Sequence, residues 1–338
     1  MKTDSIPPVK GYIALGLIAL AVVFGIINLM VKPKSAVVSP KEKSSMKNIT
    51  FTKPGIAIVT IDEIITLERA RSFFGEPTRS SAEMIADDFE AYANDERVKA
   101  IVLSVNSPGG TPAACEMIYK RMMTLKNRNK LPIVAHFREV AASGAYYISM
   151  PADKIVVSAG TITGSVGVIM YTINFSGLME KFGVKYYGIV SGKSKDILSP
   201  YRKPSNDEID YLNAMVYDVY TDFRDVVLQS RGEKLKGSPN VLLDGRVFSG
   251  RQAVRVGIAD MIGTERDAIA EACKLAKLDP ENPNIIVPQE HDNLFIRMRQ
   301  ALGSMVQGSM KSDTGIEQLI TQKYSGIPMY MYLGHGGK

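Results

Sequence analysis

VKAIVLSVNSPGGTPAA occupies residues 98–114. Its first eight residues are almost all apolar and β-prone, which at that length marks a strand buried on both faces. The run breaks at Asn106-Ser107-Pro108-Gly109-Gly110, and Thr111-Pro112 then opens a helix with proline in a favourable first-turn position. Strand, glycine turn and helix in that order form the unit of an α/β fold with a mainly parallel sheet. Paired glycines also let a backbone approach a ligand closely and turn its N–H groups toward a carbonyl oxygen. Taken alone, the turn is equally compatible with ordinary loop chemistry.

The same alternation continues on both sides. GIAIVTI (55–61) and LPIVAHF (131–137) read as strands, and KIVVS (154–158), SVGVIMY (165–171) and VKYYGIV (184–190) extend the series. Ser80 and Glu83 form a capping box before a helix whose Ile85, Phe89 and Tyr92 share one face. Ser205 and Glu208 start a long helix striped by Ile209, Leu212, Val216, Val219, Phe223 and Val226, a pattern that predicts core packing. Thr264 and Asp267 cap a further helix over 267–277. No internal repeat is present.

The chain has 338 residues, 45% hydrophobic and 22% charged, with a net charge of +6. That balance excludes general disorder, and the mild basic excess does not point to nucleic acid. Cys115 and Cys273 lie too far apart in sequence to make a disulfide scaffold. With three histidines and no CxxC, a His/Cys zinc site is not expected.

The apolar residues are unevenly spread. Residues 11–31, GYIALGLIALAVVFGIINLMV, carry no charge and as a helix would span about 31 Å, enough for a bilayer core. The run is longer than a signal peptide's apolar region and lacks a small-residue cleavage site, so it reads as an uncleaved anchor. Lys2 and Lys10 precede it and Lys32, Lys34, Lys41, Lys43 and Lys47 follow, a bias toward a cytoplasmic C-terminal side that large domains can override. The expected organisation is an N-terminal segment (1–10), an anchor (11–31), a polar stalk (32–50), a catalytic domain (51–285) and a C-terminal tail (286–338).

Three further segments carry possible chemistry. Ser143, in ASGAYY at a strand-to-helix junction, is flanked by small residues and is either an accessible nucleophile or a helix cap. Lys193 and Lys195, in SGKSKDILSP, could supply a general base. A lysine does so only if burial brings its pKa from ~10.4 to near 7, at a cost of ~4 kcal/mol. Strand alternation cannot separate the two, because both would point the same way. Ser165, in TGSVGV, could orient a neutral amine. His136 sits inside a strand without a triad pattern and reads as structural.

As a set, NSPGG (106–110), VAASGAYY (140–147), ITGSVGV (162–168), SGKSKDILSP (191–200) and DGRVFSGRQAVRVGIADMIG (244–263) resemble the S49 peptidase family in its short, single-unit form. The resemblance covers roughly residues 55–280. It implies a ClpP/crotonase-like repeated β-β-α superhelix of α/β class, with one N-terminal transmembrane helix. It also implies a membrane-anchored serine endopeptidase that degrades signal peptides and other membrane-proximal peptides through a Ser–Lys dyad. Ser143 would be the nucleophile, Lys195 the general base, Ser165 the hydroxyl holding the lysine, and Gly110 and Gly144 the oxyanion donors. No metal or cofactor is implied. A homo-oligomeric ring and an extracytoplasmic catalytic domain are. Gly144-Ala145 replaces the usual Gly-Gly after the nucleophile, and Arg138-Glu139 is unusual before VAASG. Both bear on pocket shape. The tail, ending SGIPMYMYLGHGGK, reads either as a frayed or subunit-packing segment or as one that can reach a catalytic cleft as a substrate-like peptide. A crotonase-like acyl-CoA enzyme and a catalytically silent membrane scaffold are the alternatives of other classes.

Overall fold

The computed structural model describes residues 53–69, 78–286 and 328–331, all within the second of two units, Thr52–Lys338. The expected anchor and stalk lie outside the described residues. Among those described, no helix is long and apolar enough to cross a membrane.

In chain order the elements are β1 (Gly55–Ile61), α1 (Ser81–Ala93), β2 (Val98–Ser107), β3 (Gly109–Gly110), α2 (Pro112–Asn129), β4 (Ile133–Ala142) and α3 (Gly144–Ile148). They continue as β5 (Lys154–Val157), β6 (Ile162–Gly164), α4 (Ser176–Lys181), α5 (Asn206–Arg231), α6 (Pro239–Leu242), β7 (Val247–Ser249), α7 (Gly250–Val256), β8 (Met261–Ile262), α8 (Glu265–Leu275), β9 (Ile285–Ile286) and β10 (Tyr330–Met331).

The main sheet runs β7-β6-β4-β2-β1-β9, and β5 and β8 branch from β4. Each pairing is parallel except β6 with β7, so the chain is of α/β class. Because side chains alternate along a strand, β2 serves two cores. Ile101, Leu103 and Val105 face the larger cluster with Ile118 of α2, and Ala100 and Val102 face Ala268 and Ala272 of α8. The three expected capping boxes close as predicted, at Ser80/Glu83, Ser205/Glu208 and Thr264/Asp267.

β4 is long enough to split its partners. Its first half pairs β5 and its last three residues pair β6, with Ala142 opposite Gly164. This fork opens the sheet where Ser143 leaves it.

Two expected strands do not form. Residues 165–171 contribute a single bridge, Ile169 to Met329, and residues 184–190 are exposed with no partner strand among the described residues. A β-prone pattern supplies side chains that suit a sheet but not the neighbour that makes one. The α5 stripe also buries on one half alone. Phe223 and Val227 are in the core, whereas Ile209 is exposed. The far end of α5 is held by Arg231, fully buried, which pairs with Asp260 at 2.8 Å and donates to the Gly257 carbonyl at 2.9 Å.

Candidate active site

The NSPGG turn is fixed from below. The Ser107 hydroxyl donates to the Glu63 carbonyl at 2.6 Å and accepts from the Gly109 N–H at 3.2 Å, and Asn106 Oδ1 accepts from the Val140 N–H at 3.1 Å. Ile65 clasps the glycines from outside, its N–H donating to the Gly109 carbonyl and its carbonyl accepting from the Thr111 N–H, both at 2.9 Å. A methyl group on Gly110 would stand 1.9 Å from the Ile65 carbonyl oxygen, which is why this position takes no side chain.

Ser143 sits at the end of β4 with φ +55° and ψ −119°. A non-glycine residue at positive φ is strained, and such strain gathers at functional positions. Its N–H donates to the Gly164 carbonyl at 2.8 Å and its carbonyl accepts from the Tyr147 N–H at 2.9 Å. The side chain is buried, caps nothing, and its Oγ has no hydrogen-bond partner among the described residues. The capping alternative therefore does not explain this serine. A buried, unpaired hydroxyl costs stability, about 1–3 kcal/mol in the general case, so its retention calls for a chemical reason.

The glycine loop and the serine elbow are in contact. A methyl built on Gly144 would stand 2.9 Å from the Gly110 nitrogen, and one on Gly109 would stand 2.8 Å from the Gly144 nitrogen. Two backbone N–H groups are thus gathered beside Ser143, the arrangement that stabilises a developing oxyanion. Ser165 is close in the chain's connectivity. It follows Gly164, whose carbonyl receives the Ser143 N–H, is buried, and has φ +51° with its own N–H bound to the Arg246 carbonyl at 2.8 Å.

The lysines stand apart. Residues 191–200 form a run of turns in which Lys193 and Lys195 are exposed. Lys193 pairs with Asp207 at 3.3 Å, whereas Lys195 makes no side-chain hydrogen bond or ion pair among the described residues. Since Ser143 Oγ has no partner among the described residues, the Lys195 amine is not within hydrogen-bonding distance of it within this chain. The loop itself is braced by Arg202, which binds Asp196 at 2.7 Å and Glu208 at 2.6 Å. The Arg202 guanidinium, with the Ser205 N–H, holds the Glu208 carboxyl down at about 2. Burial keeps His136 below its usual range, its ring nitrogens unpartnered, as fits a neutral structural imidazole. Among the described residues no cluster of side chains could hold a metal ion.

Sequence reasoning missed the residues that make a groove here. Tyr330 of β10 pairs antiparallel with Gly110 and Met331 with Gly109, while Met329 exchanges hydrogen bonds with Ile169 at 2.9 and 3.1 Å. A three-residue piece of the chain's own tail therefore lies as a strand between the glycine loop and residue 169. Pockets assembled from Tyr147, Phe223 and Tyr330 have no local signal, because the first two are 76 positions apart and Tyr330 lies over a hundred further on.

The sequence profile of peptidase family S49 matches residues 125–279, which include Ser143, Ser165 and Lys195. A candidate protease of Methanocaldococcus jannaschii is 38% identical over 244 residues, covering 70% of this chain and 76% of that protein. A candidate signal peptide peptidase SppA of Enterococcus faecium is 41% identical over 184 residues, 54% of this chain and 53% of its own length. A chloroplastic serine protease of Arabidopsis thaliana is 28% identical over 240 residues, 71% of this chain and 34% of the larger protein. With such relatives on a site that gathers a strained serine and paired glycine amides, the chain belongs to peptidase family S49, a family of serine peptidases.

Proposed function

We propose that the chain is a membrane-anchored serine endopeptidase with a ClpP/crotonase-like fold, acting by a Ser–Lys dyad on signal peptides and other membrane-proximal chains. The observation that carries this reading is the Ser143 hydroxyl, unpartnered among the described residues, beside the Gly110 and Gly144 amides, with a peptide strand paired onto the adjoining loop at Gly109 and Gly110. Strand addition of this kind is how a protease groove holds an extended substrate, and it favours a peptide over an acyl-CoA.

Neutral Lys195 takes the proton as Ser143 Oγ attacks the scissile carbonyl, and the two amides bind the oxyanion. The C–N bond then breaks, with the lysine ammonium returning its proton to the leaving amine. Water, deprotonated by the same lysine, hydrolyses the ester and frees the serine. Ser165 orients the amine.

The base must be delivered to the serine. Lys195 rides on a segment studded with exposed apolar side chains, Phe175, Leu178, Phe182, Tyr187 and Ile189 among them, and surface of that kind marks a protein–protein contact. That supports a homo-oligomeric ring in which each arm presents Lys195 to a neighbour's Ser143. Residues 11–31 would anchor the ring in the bilayer with its catalytic domains on the extracytoplasmic side.

The test is peptide hydrolysis by full-length protein in detergent, compared with Ser143→Ala and Lys195→Ala. Each variant should lose at least about 1,000-fold in kcat. Mixing the two inactive variants should restore part of the activity, because a mixed ring pairs an intact serine with an intact lysine. Variants as active as wild type would end the dyad reading, and no recovery on mixing would place both groups in one chain.

A further inference from the structure

Ser143 and Ser165 share an uncommon conformation. Both are non-glycine residues at positive φ, +55° and +51°, and both are buried. They are neighbours in one hydrogen-bond ladder. The Gly164 carbonyl takes the Ser143 N–H, and the next residue, Ser165, donates its own N–H to the Arg246 carbonyl, both at 2.8 Å. A side chain at positive φ is held there by what surrounds it. For Ser165 the surroundings include the turn Asp244-Gly245-Arg246, which leads into β7.

That turn is fixed by its own charges. Asp244 Oδ1 accepts from the Arg246 N–H at 3.1 Å and from Nε at 2.8 Å, and Oδ2 accepts from Nη2 at 2.7 Å. The guanidinium holds the Asp244 carboxyl below its usual range. Gly245, at φ +91°, lets the chain reverse, and its Cα lies 3.1 Å from where a methyl on Gly167 would stand. β7 then pairs antiparallel with β6, Val247 opposite Gly164, and Phe248 packs on Gly164, where a methyl would meet its ring at 2.7 Å. Ser165 is thus bracketed by the Arg246 carbonyl on its N–H and by the Gly245 backbone beside Gly167.

We propose that Asp244 is a positioning residue for the reaction: by locking Arg246 it fixes the carbonyl that holds Ser165 in its left-handed conformation, and through Ser165 it sets where the lysine amine meets Ser143. Its influence runs through the Ser165 backbone and needs no contact with the peptide. Both members of the Asp244–Arg246 pair are more than two-fifths exposed, and exposed pairs add little to stability. The effect of the pair therefore falls on geometry.

This inference rests on the Ser–Lys reading, so the experiment keeps the two apart. Peptide hydrolysis by full-length protein in detergent is measured for Asp244→Ala, Ser165→Ala and the double variant. Asp244→Ala should lower kcat about 10- to 100-fold with KM within about twofold of wild type. Asp244→Asn keeps an acceptor for the Arg246 N–H and should recover most of that loss. Ser165→Ala should lose at least as much, and adding Asp244→Ala to it should cost less than about twofold more, because both losses run through one hydroxyl. Additive losses would overturn the proposal. If Asp244→Ala or Ser165→Ala is fully active while Ser143→Ala and Lys195→Ala are inactive, the positioning assignment is wrong and the dyad stands. If no hydrolysis depends on Ser143, the peptidase reading falls, and amide exchange judges the relay by itself. Asp244→Ala should then speed exchange of the Ser165 amide at least about tenfold while β2 keeps its protection. Unchanged exchange at Ser165 would overturn the proposal.

Discussion

Two regions of the molecule are built from the same kinds of residue and end in opposite states. In the sheet and its helices, Phe89 of α1 and Phe137 of β4 are fully buried, because each has another element facing it. In the arm that runs from residue 169 to the first half of α5, Phe182 is 73% exposed and Ile189 fully exposed, with no described element across from them. Apolar character alone therefore does not say where a residue ends. The availability of a partner does. The proposed chemistry is divided along the same line: in that reading the core would set the nucleophile Ser143 and the Gly110 and Gly144 amides, while the arm would carry the base Lys195.

The contrast is broken most strongly on the core side. Gly109 has φ +115°, and a side chain there would run into the Gly144 nitrogen and the carbonyl of a paired peptide. Gly109→Ala should cut kcat/KM by about 100- to 1,000-fold, the usual loss when an oxyanion donor is displaced. Its melting temperature should fall by a few degrees, from the strain of alanine at positive φ, while the fold persists by circular dichroism. A variant that keeps full activity would show that the amides beside Ser143 do not meet the reacting carbonyl.

The two regions should also differ in what a single substitution does to stability. Arg231→Ala removes one member of a buried pair and leaves Asp260 with Lys234 as its remaining cation, so folding should lose about 3 kcal/mol. Phe182→Ser, in the arm, should leave the melting curve of the isolated chain unchanged and lower the assembly state seen by light scattering. Equal destabilisation by both would mean that the arm is packed in solution as tightly as the core.

How much of this was legible in the sequence follows the same division. Local signals worked. NSPGG marked a turn at a strand end, and three capping boxes gave the starts of α1, α5 and α8 within a residue or two. Ser143 stood out by its small neighbours, although its positive φ could not be read from them. Partners distant in the chain were illegible. SVGVIMY has a strand's composition, yet residue 169 pairs with Met329 of the tail instead of with the sheet, and VKYYGIV finds no strand among the described residues. The aromatic pocket needs α3, α5 and the tail at one point, and no periodicity within any of them announces it. Nor could alternation choose between Lys193 and Lys195, which differ in the structure through Asp207, a residue of the following helix.

The smallest expected effect concerns how the arm is tethered. Arg202 joins Asp196, next to Lys195, to Glu208 at the start of α5. Its guanidinium is the main cause holding both carboxyls below their ordinary range, Glu208 at about 2 in place of 4.5. A carboxyl whose pKa is depressed by folding favours the folded loop above its ordinary value and ceases to do so as pH falls through its folded value. The bracket should therefore be complete at pH 6 and fail between about pH 4.5 and 2. Glu208 is buried while Arg202 and Asp196 stay partly exposed, and the bracket joins only the loop to the start of α5, so the loss should loosen residues 191–208 without unfolding the sheet. Amide exchange, corrected for intrinsic rates, should show protection in 191–208 falling over that window while β2 and β4 hold. Glu208→Gln should bring the same local loosening at pH 6. If instead the loop and the sheet lose protection together, the arm is not an independent element, and the division between a rigid nucleophile and a tethered base would have to be given up.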